Sequence, residues 1–375
     1  MMNALLSNRL LICVGAGGVG KTSMAATIGL RAAIGGKKVL VLTIDPAKRL
    51  ANSLGLSAFG NAETQIDISD LDAKGELWAM MLDGKQAFYD LIERIAQNEA
   101  HRDSIFGNNI FKSIADTIVG NQEYMATEKL YDVMISDRYD LVVLDTPPVK
   151  NALDFLDSPG RMARFVDKRI MKWFLEPSEK PGFLNRVVST ASSAVFKLLS
   201  HVFGEHFLND IVVFFHNFRE LYEGFQERHQ AVEAIFRAAD TRFIIVAAPN
   251  KSALSVADFF LDELKNRDLS VPAVIINQRH QTGIDRIDAQ QVIQNAVPSE
   301  DFDSDLVRSL AARLGAAHRR LQRLEQAENQ LVDALQTKLE THQQIYSVPR
   351  MHGEVHDLSA LNRVGALLFN PSAHN

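Results

Sequence analysis

The sequence predicts an α/β protein built on a doubly wound, mostly parallel sheet. Three observations support this prediction. Short, continuous apolar runs recur along the chain, which is typical of strands that are covered by helices on both faces. Helical patterns separate these runs. The first two runs, residues 9–14 and 38–44, flank a helix-like stretch that ends in a glycine pair, as in the β-α-β unit of a parallel sheet.

Further apolar runs predict the remaining strands of the sheet. We expect these strands at 77–82, 139–145, 242–248 and 272–277. Residues 84–137 and 150–240 exceed what simple crossovers need, and their patterns are helical. We therefore expect an inserted helical subdomain at one rim of the sheet. No linker rich in Pro, Gly or Ser separates it from the sheet, so residues 1–375 are expected to form a single domain.

Residues 305–341 predict one long amphipathic helix. Its apolar positions recur in steps of four and three, a heptad-like spacing, and Glu328 occupies the one skipped place. These positions are Leu310, Leu314, Ala317, Leu321, Leu324, Leu331 and Leu335. We expect the seam to pack against the rest of the chain, and a coiled coil with another chain is the alternative. The closing segment "LSALNRVGALLF" predicts a packing helix.

Composition and charge exclude several classes of function. The net charge is −6 and 23% of the residues are charged, so no nucleic-acid partner is expected. The single cysteine, Cys13, cannot form a disulfide or a Cys-x-x-Cys zinc site within the chain, and we expect it to be buried. The apolar stretch 187–218 is interrupted by Lys197, Glu205 and Asp210, which argues against a membrane-spanning helix. With no signal peptide recognised, the expected location is the cytoplasm.

The stretch "GAGGVGKTS", residues 15–23, predicts a phosphate-binding loop. It matches GxxxxGKT and lies between a predicted strand and a predicted helix, the context that this motif requires. Lys21 is expected near the β- and γ-phosphates, and the Thr22 hydroxyl is a ligand suited to Mg²⁺. Backbone N–H groups at the start of the helix complete the anion site. The predicted nucleotide-binding residues of this loop are Gly15, Gly17, Gly18, Val19, Gly20, Lys21, Thr22 and Ser23.

Two aspartates follow predicted strands, in "TIDPAKRL" and "VVLDTPP". Because the carboxyl ends of parallel strands meet at one edge of a sheet, Asp45 and Asp145 are expected beside the phosphate loop. Asp145 is expected to hold Mg²⁺ through a water, and Asp45 to contact it in the same way and to orient or deprotonate the attacking water. The alternative for Asp45 is a helix N-cap, since Pro46 suits the first position of a helix.

Several spaced segments together resemble the ArsA-like anion-transporting ATPases, a family within the deviant-Walker-A P-loop ATPases. They run in the family's order from residue 9 to about 369. These segments are "GAGGVGKTS", "LTIDPAKRLANSLGL", "GNQEYMATEKLY", "YDLVVLDTPPVKNALDFLDSP", "VIINQ" and "VPRMHGEVHDLSALNRVGALL".

The resemblance implies specific roles for residues of this chain. It makes Asp45 the catalytic carboxylate of switch I and Asp145 the γ-phosphate sensor of switch II. It places Asn277 at the edge of the adenine and Pro349 beside the base. It also implies ATP and Mg²⁺ as cofactors, a dimer with two nucleotides between the subunits, and a helical, apolar surface that binds a client.

The chain departs from the family pattern at Ala16, where relatives often carry a lysine that reaches the partner subunit's phosphate. We consider three explanations. Another cation, from Lys48, Arg49 or Lys150, substitutes for it; a paralogous chain supplies it in a heterodimer; or it is dispensable in this branch. A cation that stabilises the transition state can contribute about 10³-fold or more to the rate, so slow hydrolysis by the isolated chain is expected because Ala16 replaces this lysine.

The functional expectation is a Mg²⁺-dependent, dimeric ATPase switch that couples its nucleotide state to a protein or membrane-associated client. The alternative is a weakly catalytic or non-catalytic nucleotide-binding subunit that regulates a paralogous ATPase. A hydrophobic protein client is expected to bind two amphipathic stretches, 161–176 and 187–203, although these faces could instead pack together. A kinase or ligase built on the same loop is a third class, which the two aspartate motifs disfavour.

Overall fold

The computed structural model describes most of the sheet and its covering helices. The described residues are 2–44, 54, 62–96, 98–108, 112, 122–147, 155–156, 210, 213, 227–228, 230–282, 289–296, 304–351, 353, 355 and 357–369. Asp45 lies outside them, as do Lys48, Arg49 and Lys150. Both apolar stretches expected to bind a client, 161–176 and 187–203, also lie outside the described residues.

The described residues form an eight-stranded sheet, and all six strands expected from the sequence are present in it. The strands are β1 Leu10–Gly15, β2 Lys38–Thr43, β3 Thr64–Ile66, β4 Glu76–Met81, β5 Leu141–Asp145, β6 Thr241–Ala247, β7 Ala273–Arg279 and β8 Gln344–Pro349. Their order across the sheet is β3-β4-β2-β5-β1-β6-β7-β8. Only the β3–β4 pair is antiparallel, so the predicted mostly parallel α/β sheet is confirmed.

Helices connect the strands as the sequence patterns predict. They are α1 Met2–Leu5, α2 Lys21–Ile34, α3 Gly84–Ile95, α4 Glu99–Gly107, α5 Gln122–Ile135, α6 Lys251–Asn266, α7 Ala289–Ala296, α8 Ser304–Gln336 and α9 Leu358–Phe369, together with a short 3₁₀ turn at Ser69–Leu71. The described part of 84–137 thus forms α3, α4 and α5. That these helices join residues 150–240 in a subdomain stays a prediction.

A hydrophobic core lies on each face of the sheet, which makes the fold doubly wound. Along β1, Leu10 and Ile12 pack into one core, whereas Leu11 and Cys13 pack into the other, because successive side chains of a strand point to opposite faces. The first core includes side chains from α3, α5, α6 and the end of α8. The second includes side chains from α1, α2 and α9, which confirms the closing segment as a packing helix.

The fold differs from the sequence-based expectation in three places. The strands β3 and β8 were not predicted, and α8 ends at Gln336 rather than at 341. Among the residues that the structure describes, no helix is both long enough and apolar enough to cross a membrane. The parallel strands all end at the same edge of the sheet, where β1 leads directly into the loop before α2. This edge carries the candidate site.

Candidate nucleotide-binding site

The loop between β1 and α2 requires glycine at defined positions. A Cβ atom on Gly15 would lie 2.0 Å from the carbonyl oxygen of Val246 on the neighbouring strand β6, so no larger residue fits there. Gly18 and Gly20 have φ angles of 77° and 89°, in the left-handed region that glycine adopts without steric cost. The loop can therefore turn sharply from the end of β1 into the start of α2.

The start of α2 has the backbone geometry of an anion site. Gly20 precedes the helix and provides no side-chain cap. The first helical hydrogen bond runs from the Met24 N–H to the Gly20 carbonyl at 2.9 Å, so the amides of residues 21–23 precede this first intrahelical donor. These amides, together with the positive end of the helix dipole, favour a phosphate group at this position.

Lys21 lies at the first position of α2 and is 7% exposed. Its Nζ atom donates a hydrogen bond to the Ala16 carbonyl at 2.9 Å, across the loop. The other predicted residues of the loop differ in exposure: Val19 is buried in the core, whereas Gly17 and Gly18 are exposed. The loop thus places one cation and two exposed glycines at the same edge of the sheet.

Asp145, at the end of β5, is fully buried and joins three elements. Its Oδ2 atom accepts hydrogen bonds from Thr22 Oγ1 at 2.7 Å and from Thr43 Oγ1 at 2.9 Å. Thr43 is the last residue of β2, and the sequence analysis did not single it out. The available signal was a polar residue directly after the apolar run 39–42 of β2.

The donor set at Asp145 fits a magnesium ion. Mg²⁺ prefers oxygen ligands and retains several waters, and the carboxylate with the Thr22 hydroxyl supplies oxygens beside the phosphate loop. By contrast, Cys13 cannot act as a soft ligand here. Burial raises the pKa of the Cys13 thiol and the negative charge of Asp145 raises it further, against the opposing effect of Lys21.

The structure connects Asn277, in β7, to the phosphate loop. Its Nδ2 atom donates a hydrogen bond to the Val19 carbonyl at 2.9 Å, and the residue is 7% exposed. Pro349 is the last residue of β8 and pairs with Arg279 of β7, which places it at the same edge of the sheet. The predicted site residues within the described chain thus lie at the strand ends, and Asp45 follows the described end of β2 by two residues.

The mostly parallel sheet and the phosphate loop at its strand ends define the class of protein, which is an α/β P-loop nucleotide-binding protein. A family model described as anion-transporting ATPase matches residues 8–297. The chain belongs to this family.

Named relatives agree with this assignment. The chain is 25% identical over 269 residues to "ATPase get3" of Aspergillus terreus, which covers 70% of this chain and 71% of that protein. It is 24% identical over 276 residues to "ATPase get3" of Neurospora crassa, at 72% and 73% coverage. It is 26% identical over 295 residues to "ATPase ARSA1" of Chlamydomonas reinhardtii, at 74% of this chain but 35% of that longer protein. ATPase activity in general is thus supported.

Proposed function

We propose that this protein binds and hydrolyses Mg·ATP as a dimeric switch in the cytoplasm, and that its nucleotide state controls binding of a protein or membrane-associated client. The observation that carries the catalytic part is the convergence of Lys21, Thr22 and Asp145 at the N-terminus of α2, with Thr22 Oγ1 2.7 Å from Asp145 Oδ2. A structural turn would not need a buried carboxylate and an ammonium group around the first turn of a helix.

The residues have distinct roles in this proposal. Lys21, whose Nζ lies 2.9 Å from the Ala16 carbonyl oxygen across the loop, binds phosphate oxygens. Thr22 would hold Mg²⁺ directly, and Asp145 and Asp45 would hold it through waters. When bound, Mg²⁺ would supply positive charge beside the phosphates. Asp45 orients or deprotonates the attacking water, and Asn277 and Pro349 lie beside the adenine.

The family supports the dimer and client parts of the proposal only by resemblance. The competing function is a weakly catalytic subunit that regulates a paralogous ATPase, and the specific observation in its favour is Ala16 at the position where relatives often carry lysine. The two functions differ in one measurable property, which is the turnover number of the isolated chain.

Steady-state ATP hydrolysis by purified protein tests the proposal. We expect Mg²⁺-dependent turnover that falls by about a hundredfold or more in Lys21→Ala, because a preorganised charge that stabilises phosphoryl transfer is lost. Lys74→Ala is the matched control. Lys74 is exposed and lies just before β4, at the end of the sheet where the parallel strands begin and away from the candidate site. If wild-type protein binds Mg·ATP but turns over no faster than Lys21→Ala, the regulatory function is favoured instead.

The role of Ala16 is tested in the same assay. If a cross-subunit cation is missing, Ala16→Lys raises kcat by tenfold or more, within the range of about 10³-fold that such a cation can contribute. If another residue substitutes, alanine at Lys48, Arg49 or Lys150 lowers kcat. If none of these four variants changes kcat, the lysine is dispensable in this protein.

A further inference from the structure

We propose that Asn277 is a positioning residue that sets the shape of the phosphate loop, whether or not a base is bound. This inference rests on the proposed function, because it concerns the loop taken there to hold the triphosphate. It assigns to Asn277 a second role beside the adenine contact that the family resemblance implies.

The first observation is a buried hydrogen bond between distant parts of the chain. Asn277 Nδ2 lies 2.9 Å from the Val19 carbonyl oxygen, 258 positions away in sequence. Asn277 is 7% exposed and Val19 is 3% exposed, so water cannot readily replace the bond. A buried carbonyl that loses its donor is penalised by its full desolvation cost, which holds the Val19 peptide in this orientation.

The second observation is a close steric contact at the adjacent residue. A Cβ atom on Gly20 would lie 2.3 Å from Asn277 Nδ2, so the amide group packs directly on the Gly20 backbone. Gly20 has a φ of 89° and immediately precedes α2. Asn277 therefore contacts two consecutive loop residues, and it constrains the peptide that aims the first amides of α2.

The third observation is the irregular backbone of β7 at this point. Ile276 pairs regularly with Ala247 of β6 and Ser347 of β8, but the β7–β8 register shifts between Ile276 and Arg279. Gln278, within this irregularity, has a φ of 63°, which is uncommon for a residue other than glycine. Such bulges redirect a side chain and are frequent beside functional sites. Here the irregularity lies within β7 and begins directly after Ile276, which is paired on both sides, so it includes Asn277.

Loop positioning and base recognition predict different results with a ligand that has no base. Inorganic tripolyphosphate offers the phosphates without adenine. If Asn277 only contacts the base, Asn277→Ala weakens ATP binding and leaves tripolyphosphate binding unchanged. If Asn277 positions the loop, the same substitution weakens both ligands by a similar factor, which we expect to be about tenfold, the equivalent of one buried hydrogen bond.

The experiment measures the Kd of Mg·ATP and Mg·tripolyphosphate by calorimetry and amide hydrogen exchange of residues 15–22 in the ligand-free full chain. Thr241→Val is the matched control, because it removes another side-chain-to-backbone bond, from the buried Thr241 Oγ1 to the part-buried Ile235 carbonyl at 2.7 Å, where β6 begins and away from the phosphate loop. Asn277→Leu keeps the side-chain size without the donor, and it replaces alanine if that variant folds poorly.

We expect amide exchange in the loop to be faster in both Asn277 variants than in wild-type protein. In Thr241→Val it should remain at the wild-type rate. Unchanged loop exchange, or weakening confined to ATP, would overturn the positioning role. If wild-type protein binds neither ligand, the proposed function fails instead, and the exchange measurement still decides whether Asn277 holds the loop.

Discussion

Two glycines of the phosphate loop share a left-handed backbone but differ in the space around them. Gly18, at φ 77°, has no atom within 4 Å of a hypothetical Cβ, whereas a Cβ on Gly20 would lie 2.3 Å from Asn277 Nδ2. We therefore expect Gly18→Ala to cost about 1–2 kcal/mol of backbone strain. Gly20→Ala should cost clearly more, because it also displaces Asn277 from the Val19 carbonyl.

Urea unfolding and Mg·ATP affinity of both variants check this prediction. Each glycine serves as the control for the other, since both substitutions place alanine at a positive φ in the same loop. If the two variants lose the same stability and the same affinity, the Asn277 side chain moves aside without cost. Its packing on Gly20 then does not constrain the loop.

Burial should make Cys13 unreactive in the folded protein. The thiol is fully buried, and its pKa is raised first by burial and then by Asp145, so little thiolate forms. We expect iodoacetamide labelling at pH 8, followed by mass spectrometry, to be slow without urea and rapid in urea. Fast labelling of native protein would mean that β1 opens locally.

The same pKa shift has a consequence for stability. The pKa of Cys13 is higher in the folded state than in the unfolded state. The protonated thiol therefore contributes fully to the free energy of unfolding below the ordinary thiol pKa of about 8.5, and this contribution is lost as the pH rises above that value. The free energy of unfolding of wild-type protein should therefore fall towards that of Cys13→Ala above this pH. Parallel curves for the two proteins would contradict the shift.

At the residue scale, local motifs were predictable and long-range contacts were not. GxxxxGKT is contiguous, so its position between β1 and α2 followed from sequence alone. The Asp145 side chain was expected at the sheet edge, but its bond to Thr43 depends on β2 and β5 being neighbours. The contact of Asn277 with Val19 joins β7 to the loop after β1. No local pattern specifies which strands become neighbours.

At the scale of elements, polar side chains fasten α8 to the end of β7. Glu328 accepts a hydrogen bond from the His280 N–H at 2.9 Å, and its Oε1 lies 2.6 Å from His280 Nδ1. One turn earlier, Glu325 accepts bonds from the N–H and the hydroxyl of Thr282, at 3.1 and 2.6 Å. Glu328 is 5% exposed. The position that interrupts the heptad seam is therefore a buried polar contact.

This contact predicts the effect of restoring the seam. A heptad interpretation expects Glu328→Leu to stabilise the helix, since leucine completes the apolar repeat. We expect the opposite, a loss of about 2–4 kcal/mol in the free energy of unfolding, because the His280 N–H is left without its acceptor. Thermal and urea unfolding measure this. Gln326→Leu, at an exposed position of α8, should change stability by less than about 0.5 kcal/mol.

The seam itself is only partly used within the chain. Leu335 is 4% exposed and belongs to the core, whereas Leu324 is 42% exposed. The end of α8 thus packs against the rest of the chain as expected, whereas the exposed Leu324 is available for the coiled-coil alternative. Stabilisation by Glu328→Leu would favour that alternative, because a leucine seam gains most when a second helix covers it.

The two unpredicted strands, β3 and β8, are the outermost strands of the sheet, and they show why edge strands are harder to predict than central strands. β3 has three residues, too few for a periodic signal. β8 is half-exposed along most of its length, so it lacks the continuous apolar run that marked the central strands. The predicted end of α8 was also too late, since the helix ends at Gln336 and the chain then returns as β8 to pair with β7.

At the scale of the whole molecule, the strand order gathers the site from distant parts of the chain. β1 lies between β5 and β6, and β7 follows β6, so Lys21, Asp145 and Asn277 come to one edge although more than 250 positions separate the first from the last. The crevice beyond such strand ends is where open α/β sheets bind ligands. Within the described residues, Gly17 and Gly18 of the loop are exposed at these strand ends.

The final prediction follows from the proposed dimer and concerns the mass of the protein in solution. If two chains enclose two nucleotides, ATP and Mg²⁺ should shift the protein from its 41.7 kDa chain mass towards twice that value in sedimentation equilibrium. Lys21→Ala should stay at the mass measured without nucleotide, because it lacks the ammonium group that is proposed to bind the phosphates. A single mass in all four samples, wild type and variant with and without ATP, would contradict nucleotide-driven dimerisation. A complex with another co-purifying chain of similar size would instead support the heterodimer, in which a partner supplies the cation that Ala16 lacks.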